Sequence, residues 1–202
     1  MRYDRVYNFS AGPAMMPESV LEEIAAEGAR AGEIIRSIQS LTRKQDPTFS
    51  RIDMHSLIHH IITLSRSELE QRHISVDYLL NASDSFITGD SVQIQQVLLN
   101  LVMNAVEAMA EVKERASTIT LSTSNADGKV IVEIADTGSG IEPERLEQIF
   151  DSFYSTKPQG MGMGLTISAS IIERHCGKLS ARRREPHGTV FAFALPLAAQ
   201  EA

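Results

Sequence analysis

Three polar or glycine-rich motifs follow one another in the second half of this 202-residue sequence, separated by segments with regular hydrophobic spacing. The first is an asparagine pair, Asn100 and Asn104, within a stretch from about Asp90 to Lys113 whose apolar residues recur every three or four positions. This spacing predicts an amphipathic helix on which the two amides project from one face, one turn apart. Two neutral carbonyl oxygens in that arrangement suit a hydrated Mg²⁺, although each amide could equally satisfy a local hydrogen bond.

The second motif is a carboxylate at the end of a predicted strand. A hairpin pattern predicts strands at Ser117–Ser124 and Lys129–Ala135, after which the chain turns at Asp136-Thr137-Gly138-Ser139-Gly140. Glycine permits positive φ and lets the backbone approach a flat ligand closely. The carboxylate can accept a hydrogen bond from the exocyclic amine of adenine, where guanine offers a carbonyl. A plain Asp-x-Gly turn is the alternative interpretation.

The third motif is the glycine cluster Gly160-Met161-Gly162-Met163-Gly164-Leu165, which predicts a loop that can close. A helix predicted from about Leu165 to His175 follows, and its free N-terminal amides would suit a phosphate. Lys157 is the nearby cation and the candidate partner of a terminal phosphate. The Rossmann fingerprint is excluded because its glycines open the first turn of a parallel unit, and no Walker lysine motif occurs.

The motifs, together with Phe150 to Lys157, resemble the N, G1, F and G2 boxes of the ATP-binding catalytic domain of bacterial sensor histidine kinases. These kinases belong to a wider family that includes gyrase, Hsp90-type chaperones and MutL-type repair ATPases. The resemblance extends from about Asp90 to Pro196, and it implies that Asn104 binds Mg²⁺ with support from Asn100. It implies a set of residues that contact the nucleotide, namely Asp136, Gly138, Gly140, Ile141, Gly160, Gly162, Gly164, Leu165 and Thr189.

The implied activity is that of a protein-histidine kinase, with Asn100, Asn104 and Lys157 as its catalytic residues. Such an enzyme transfers the γ-phosphoryl of Mg·ATP to a histidine on a dimerisation helix, from which it passes to an aspartate of a response-regulator receiver domain. Gyrase-like members place a water-activating glutamate where Asn100 stands, which favours transfer over hydrolysis. An ATP-hydrolysing member of the same superfamily and a nucleotide-binding pseudokinase are the alternatives.

None of the six histidines is followed by the Glu and Pro of the acceptor motif, so we do not expect this chain to phosphorylate itself. Residues 29–46 resemble a remnant of the second dimerisation helix, within one long helix predicted from Glu18 to Arg43. Its apolar stripe suggests a homodimer. Residues of about 6–25 resemble the N-terminus of phosphoserine aminotransferase, a fragment too short to build that enzyme's core, which suggests that 1–28 is a fusion segment or an artefact.

Composition excludes several classes of function. A net charge of −7 without a basic stripe argues against nucleic-acid binding, and a single cysteine excludes a disulfide framework. No apolar run reaches the ~18 residues of a membrane span, and we expect a cytoplasmic domain. For residues 47–202 we predict a two-layer α/β sandwich with a mixed sheet, the Bergerat-type ATP-binding fold. The predicted helices are 54–72, 90–113 and 165–175, and the predicted strands are 75–80, 117–124, 129–135, 178–183 and 189–195.

Overall fold

The computed structural model describes residues 48–110, 112, 114–154 and 162–199. Over these residues the chain forms seven strands, four α-helices and two short 3₁₀ helices. In chain order they are β1 Ser50–Asp53, α1 Met54–Leu64, α2 Arg66–Gln71, β2 Ser75–Leu80, β3 Phe86–Gly89, α3 Ser91–Met109, β4 Thr118–Ala126, β5 Lys129–Asp136, the 3₁₀ helices Pro143–Arg145 and Gln148–Phe150, α4 Gly164–Arg174, β6 Lys178–Arg183 and β7 Thr189–Pro196.

The central sheet is mixed, as the sequence predicts. Its five strands lie in the order β2-β4-β5-β7-β6, in which β2 and β4 are parallel and every other neighbouring pair is antiparallel. The β4–β5 hairpin turns at Asp127 and Gly128, which both have positive φ, of 50° and 70°. The register places Ile119 of β4 opposite Asp136 at the end of β5. A second, two-stranded sheet pairs β1 with β3.

One face of the sheet carries the helices. Along β5 every second residue is buried, from Val130 to Asp136, which is the alternation expected of a strand with one covered face. The buried apolar residues of α1, α3 and α4 share one hydrophobic cluster with buried apolar residues of β4, β5 and β7. The predicted two-layer α/β architecture is therefore confirmed. In the described part of the chain, no helix has the length and apolar character needed to cross a bilayer.

Helix α3 is fixed at its start by two contacts that involve Asp90. The Asp90 carboxylate accepts hydrogen bonds from the backbone N–H groups of Val92 and Gln93, at 3.0 and 3.1 Å, and so caps the helix. The backbone N–H of Asp90 donates to Nε2 of His175, at 3.0 Å. The other ring nitrogen of His175 lies 2.7 Å from the carbonyl oxygen of Ile171, to which it donates. His175 therefore ties the end of α4 to the beginning of α3.

The elements differ from the prediction in three places. The helix predicted over 54–72 is interrupted at Ser65, whose hydroxyl and backbone N–H both bond to the carbonyl of Ile61, and this ends α1. Helix α3 ends at Met109 rather than at Lys113. Strands β1 and β3 were not predicted. The strands that were predicted begin and end within two residues of the observed ones.

The assignments made for the N-terminal region fall on residues 1–47, which lie outside the described residues. The aminotransferase-like segment 1–28, the helix remnant 29–46 and the domain boundary at 47 therefore stay predictions.

We expect Asp90→Ala to lower the free energy of unfolding by about 1 kcal/mol, because two N–H groups of the first turn of α3 lose their acceptor. Urea denaturation at neutral pH measures the change. Asp77→Ala, at an exposed aspartate on β2, is the matched control. Equal stability of the two variants would show that the cap contributes nothing.

Candidate functional site

The carboxylate of Asp136 lies at the end of β5 and is almost completely buried, with 1% of the residue exposed. Its Oδ1 accepts hydrogen bonds from the backbone N–H of Gly138 at 2.8 Å and from that of Thr189 at 3.2 Å. Thr189 reaches this position because β7 pairs with β5, Val190 lying opposite Ala135. The structure thus brings together three of the residues that the sequence analysis assigned to contact with the nucleotide.

Burial raises the pKa of the Asp136 carboxyl above its ordinary value of 3.8. The hydrogen bonds from Gly138 and Thr189 oppose this effect, as do the positive charges of Arg184 and Arg115, without cancelling it. The desolvated charge therefore costs folding free energy. An acceptor that is short of hydrogen bonds suits a donor such as an exocyclic amine. Oδ2 accepts no hydrogen bond from the residues that the structure describes.

The turn after Asp136 packs directly against the end of α3. A Cβ at Gly138 would lie 2.6 Å from the carbonyl oxygen of Ala108, so no other residue fits there without moving the helix or the turn. The same carbonyl accepts a hydrogen bond from the backbone N–H of Ser139, at 3.1 Å. The sequence analysis expected glycine at 138 for the approach of a ligand; the structure shows that it is also required for contact with α3.

Asn100 joins α3 to the beginning of α4. Its Nδ2 donates to the hydroxyl of Ser168 at 3.0 Å, and Ser168 is 2% exposed. Its Oδ1 lies 2.6 Å from the position that a Cβ would take at Gly164, the first residue of α4. Glycine at 164 therefore leaves room for the Asn100 amide, which makes a structural contact between the two helices. Its predicted support of a Mg²⁺ ligand stays a prediction.

Two contacts on α3 show how far apart the two parts of the candidate site lie, namely the start of α4 and the turn after Asp136. Asn100 contacts the first residue of α4 and Ala108 contacts the turn after Asp136, so the two contacts are separated by eight residues, or ~12 Å along the helix axis. Asn104 lies midway between them and is half-buried. The buried carboxylate, the amide pair and the N-terminus of α4 thus line one continuous edge of α3.

The other predicted site residues divide into three groups. Ile141 and Leu165 are partly buried and pack against the hydrophobic cluster. Gly140 and Gly162 both have positive φ, of 79° and 66°, and the carbonyl of Gly162 accepts a hydrogen bond from the backbone N–H of Phe153. Lys157 and Gly160 lie outside the described residues, so their roles stay predictions.

Sequence reasoning missed three residues that hold the site together, namely Arg115, Arg184 and Ser168. Arg115 donates to the carbonyl oxygens of Thr137 and Gly138, and Nη1 of Arg184 donates to the carbonyl oxygen of Asp136 at 3.1 Å. Each lies outside any glycine motif, and Arg184 is the last of three consecutive arginines. The sequence carries no signal for them, since their partners are backbone groups or a residue distant in the chain.

A groove of about 630 Å³ lies elsewhere, between the two 3₁₀ helices and β6, and is lined by Pro143, Phe150 and Lys178 among others. None of the predicted site residues lines it, and we assign it no role in nucleotide binding.

The buried carboxylate, the amide pair and the glycine-flanked N-terminus of α4 all lie within a segment that matches a known family. A family model described as "Histidine kinase-, DNA gyrase B-, and HSP90-like ATPase" matches residues 89–199. The chain belongs to this family.

Within the family the chain is similar to sensor histidine kinases. It is 36% identical to the sensor protein FixL of Bradyrhizobium diazoefficiens over 90% of this chain and 36% of that protein. It is 34% identical to the C4-dicarboxylate transport sensor protein DctS of Rhodobacter capsulatus over 90% of this chain and 28% of that protein. The chain therefore spans about a third of the length of these relatives.

Solved structures agree with this placement. The catalytic domain of histidine kinase ThkA has a TM-score of 0.66 and 34% identity, covering 73% of this chain and 95% of that one. A crystal structure of ThkA in complex with response regulator protein TrrA gives a TM-score of 0.75 and 28% identity, covering 93% of this chain and 53% of that one. The fold is that of the ATP-binding catalytic domain of a histidine kinase, as predicted.

We expect Asp136→Asn to become more stable than the unsubstituted protein as the pH rises. Asparagine keeps the oxygen that Gly138 and Thr189 contact but carries no charge. Because burial raises the pKa of the folded-state carboxyl, its stabilising contribution is complete below pH 3.8 and is lost as the pH rises through the folded-state pKa. Urea denaturation across this range measures the difference in unfolding free energy.

The control for this measurement is Asp77→Asn, which removes one negative charge at an exposed position on β2. A stability difference between Asp136→Asn and the unsubstituted protein that stays constant with pH would contradict the assigned cause.

Proposed function

We propose that the chain binds Mg·ATP along the edge of α3 and transfers the γ-phosphoryl group to a histidine on a dimerisation helix of a sensor kinase. The observation that carries the proposal is the alignment of Asp136, Asn104 and the first residue of α4 along one helix. An extended nucleotide with its base at Asp136 would direct its phosphates toward Gly164. The receiver domain of a response regulator would then take the phosphoryl group, in agreement with the reported complex of the similar kinase ThkA.

Adenine selection is assigned to the buried carboxylate. Asp136 Oδ1 is occupied by two backbone donors, which fix the plane of the carboxyl group. The exocyclic amine of adenine would add a donor to an acceptor that burial has deprived of water. A base that presents a carbonyl at the same place would set two acceptors against each other. The site therefore favours adenine over guanine or hypoxanthine.

Phosphate binding is assigned to the N-terminus of α4. Helices α1 and α3 are each preceded by an aspartate, Asp53 and Asp90, whose side chain accepts hydrogen bonds from first-turn N–H groups. Helix α4 follows Met163, which makes no such bond, and carries no acidic residue in its first turn. N–H groups without a side-chain cap, at the positive end of the helix dipole, are a site for phosphate. Lys157 is proposed to meet the terminal phosphate.

The residues on α3 fit Mg²⁺ by the chemistry of their donor atoms. Asn100 and Asn104 offer amide oxygens, the kind of ligand that Mg²⁺ prefers, and the ion usually takes its remaining ligands from phosphates and water. Within the described residues no group of three or more histidines, cysteines, aspartates or glutamates is placed to hold a metal. When bound, the ion would neutralise phosphate charge. Asn104 would hold it and Asn100 would support it.

Transfer is favoured over hydrolysis by the bonding of Asn100. An amide cannot take a proton from water, and Nδ2 of Asn100 is committed to the Ser168 hydroxyl. The chain's contribution would then be to orient the triphosphate and to exclude water, which is the main requirement of phosphoryl transfer.

We also propose a cytoplasmic location, where ATP and a receiver domain are both available, and self-association through the N-terminal helix.

The first test is a calorimetric titration with Mg·ADP. We expect the unsubstituted chain to bind, and Asp136→Asn to bind at least tenfold more weakly, because the new amide sets a donor against the amine of adenine. Asparagine is preferred to alanine because alanine would leave the N–H groups of Gly138 and Thr189 without their acceptor. Asp77→Asn should retain full affinity. Failure of the unsubstituted chain to bind would remove the proposal.

The second test supplies the acceptor separately. Incubated with Mg·[γ-³²P]ATP and a helical hairpin of a sensor kinase, the chain should place acid-labile label on the hairpin and none on itself. A hairpin in which the acceptor histidine is replaced by glutamine should remain unlabelled. Steady release of inorganic phosphate without labelled hairpin would instead identify an ATP-hydrolysing enzyme. Binding without either reaction would identify a pseudokinase.

A further inference from the structure

Arg115 bonds to two successive backbone carbonyl groups of the turn that follows Asp136. Nε of Arg115 donates to the carbonyl oxygen of Thr137 at 2.8 Å, and Nη2 donates to that of Gly138 at 2.7 Å. Both distances are those of charge-assisted hydrogen bonds. The planar guanidinium therefore fixes two successive carbonyl groups at once, which a flexible lysine ammonium does not reproduce.

Other atoms of the same turn make further hydrogen bonds, one of them from Nη1 of Arg184 to the carbonyl oxygen of Asp136. The hydroxyl of Thr137 donates to the carbonyl of Ala116 at 2.9 Å and accepts from the N–H of Thr118 at 3.0 Å. The N–H of Ser139 reaches α3, and the N–H of Gly138 reaches the Asp136 carboxylate. Arg115 supplies the only charged side chain that bonds to the carbonyls of Thr137 and Gly138 within the described residues.

The position of the Gly138 N–H decides the orientation of the carboxylate. Peptide planes are rigid, so the carbonyl of Thr137, which Arg115 holds, and the N–H of Gly138, which Asp136 accepts, belong to one plane. Fixing the carbonyl fixes the N–H. Rotation of this plane after loss of Arg115 would release one of the two donors that align Oδ1.

We propose that Arg115 is a positioning residue for base recognition: it orients the Thr137–Gly138 peptide so that Asp136 presents its carboxylate to the amine of adenine. The inference rests on the proposed nucleotide-binding function. It adds a determinant of base specificity that lies outside the glycine motifs and does not itself touch the base.

The test compares two nucleotides that differ only on one edge of the base. Inosine diphosphate carries a carbonyl and an N1–H where ADP carries the exocyclic amine and an unprotonated N1, and the two share the same ribose and phosphates. We expect Arg115→Gln to reduce the preference for Mg·ADP over Mg·IDP about tenfold, the change equivalent to one charge-assisted hydrogen bond. The loss should fall on ADP, while IDP affinity should change little. Calorimetric competition gives both dissociation constants.

Arg66→Gln is the matched control, since Arg66 lies on α2 and donates through Nε to the exposed Glu70. Its ADP preference should equal that of the unsubstituted protein. Arg115→Lys keeps the charge but loses the two-pronged contact, so we expect it too to lose most of the preference. An unchanged preference in Arg115→Gln, or equal weakening of both nucleotides, would overturn the inference, because a purely structural role predicts equal weakening.

If urea denaturation shows that Arg115→Gln does not fold, the preference of Arg115→Lys for Mg·ADP over Mg·IDP decides the question. A reduced preference supports the inference, and an unchanged preference overturns it. If the unsubstituted chain binds neither nucleotide, the proposed function fails and takes the inference with it. If the unsubstituted chain prefers ADP and both Arg115 variants do so equally, only the inference fails.

Discussion

The close contact of one turn and one helix N-terminus with α3 determines the geometry of the whole site. Gly138 packs against the backbone carbonyl of Ala108, and Gly164, the first residue of α4, packs against the side-chain amide of Asn100, both on α3. A Cβ at Gly138 would displace the turn or the helix, and one at Gly164 would displace the Asn100 amide, so the two glycines allow these close contacts. Since α3 is itself anchored by eight buried residues and by the Asp90 cap, the two ends of the site are held a fixed distance apart.

The buried carboxylate of Asp136 shows how the site trades stability for recognition. Burial raises the pKa of this group, which means that its ionised form is less stable in the folded protein than in water. Two backbone donors and the nearby guanidinium groups of Arg115 and Arg184 limit the cost. Under the proposed function, the remaining shortage of hydrogen bonds would make the carboxylate a selective acceptor, because a fully satisfied carboxylate would gain little from an added amine.

The sequence predicted those parts of the structure that depend on local periodicity. The three- and four-residue spacing of α3 and the alternation along β5 determine both their type and their buried face. It did not predict β1 and β3, which are four residues long, too short to show a period, and stabilised by pairing between distant segments. It also missed the break at Ser65, because a serine that bonds back to the preceding turn is indistinguishable in sequence from one that faces solvent. Arg115 and Ser168 were missed since their roles depend on partners that only the fold brings near.

The contacts of Asn100 connect the choice of amide at this position with the chemistry that the site supports. Its nitrogen donates to Ser168 inside α4, and its oxygen faces the first residue of the same helix. A glutamate here would introduce a charge beside the helix N-terminus, where it would compete with phosphate for the same N–H groups. The amide instead joins α3 to α4 while leaving the helix dipole available to an anionic ligand. Under the proposed function, the residue that would favour transfer over hydrolysis is thus also the one that joins α3 to the start of α4.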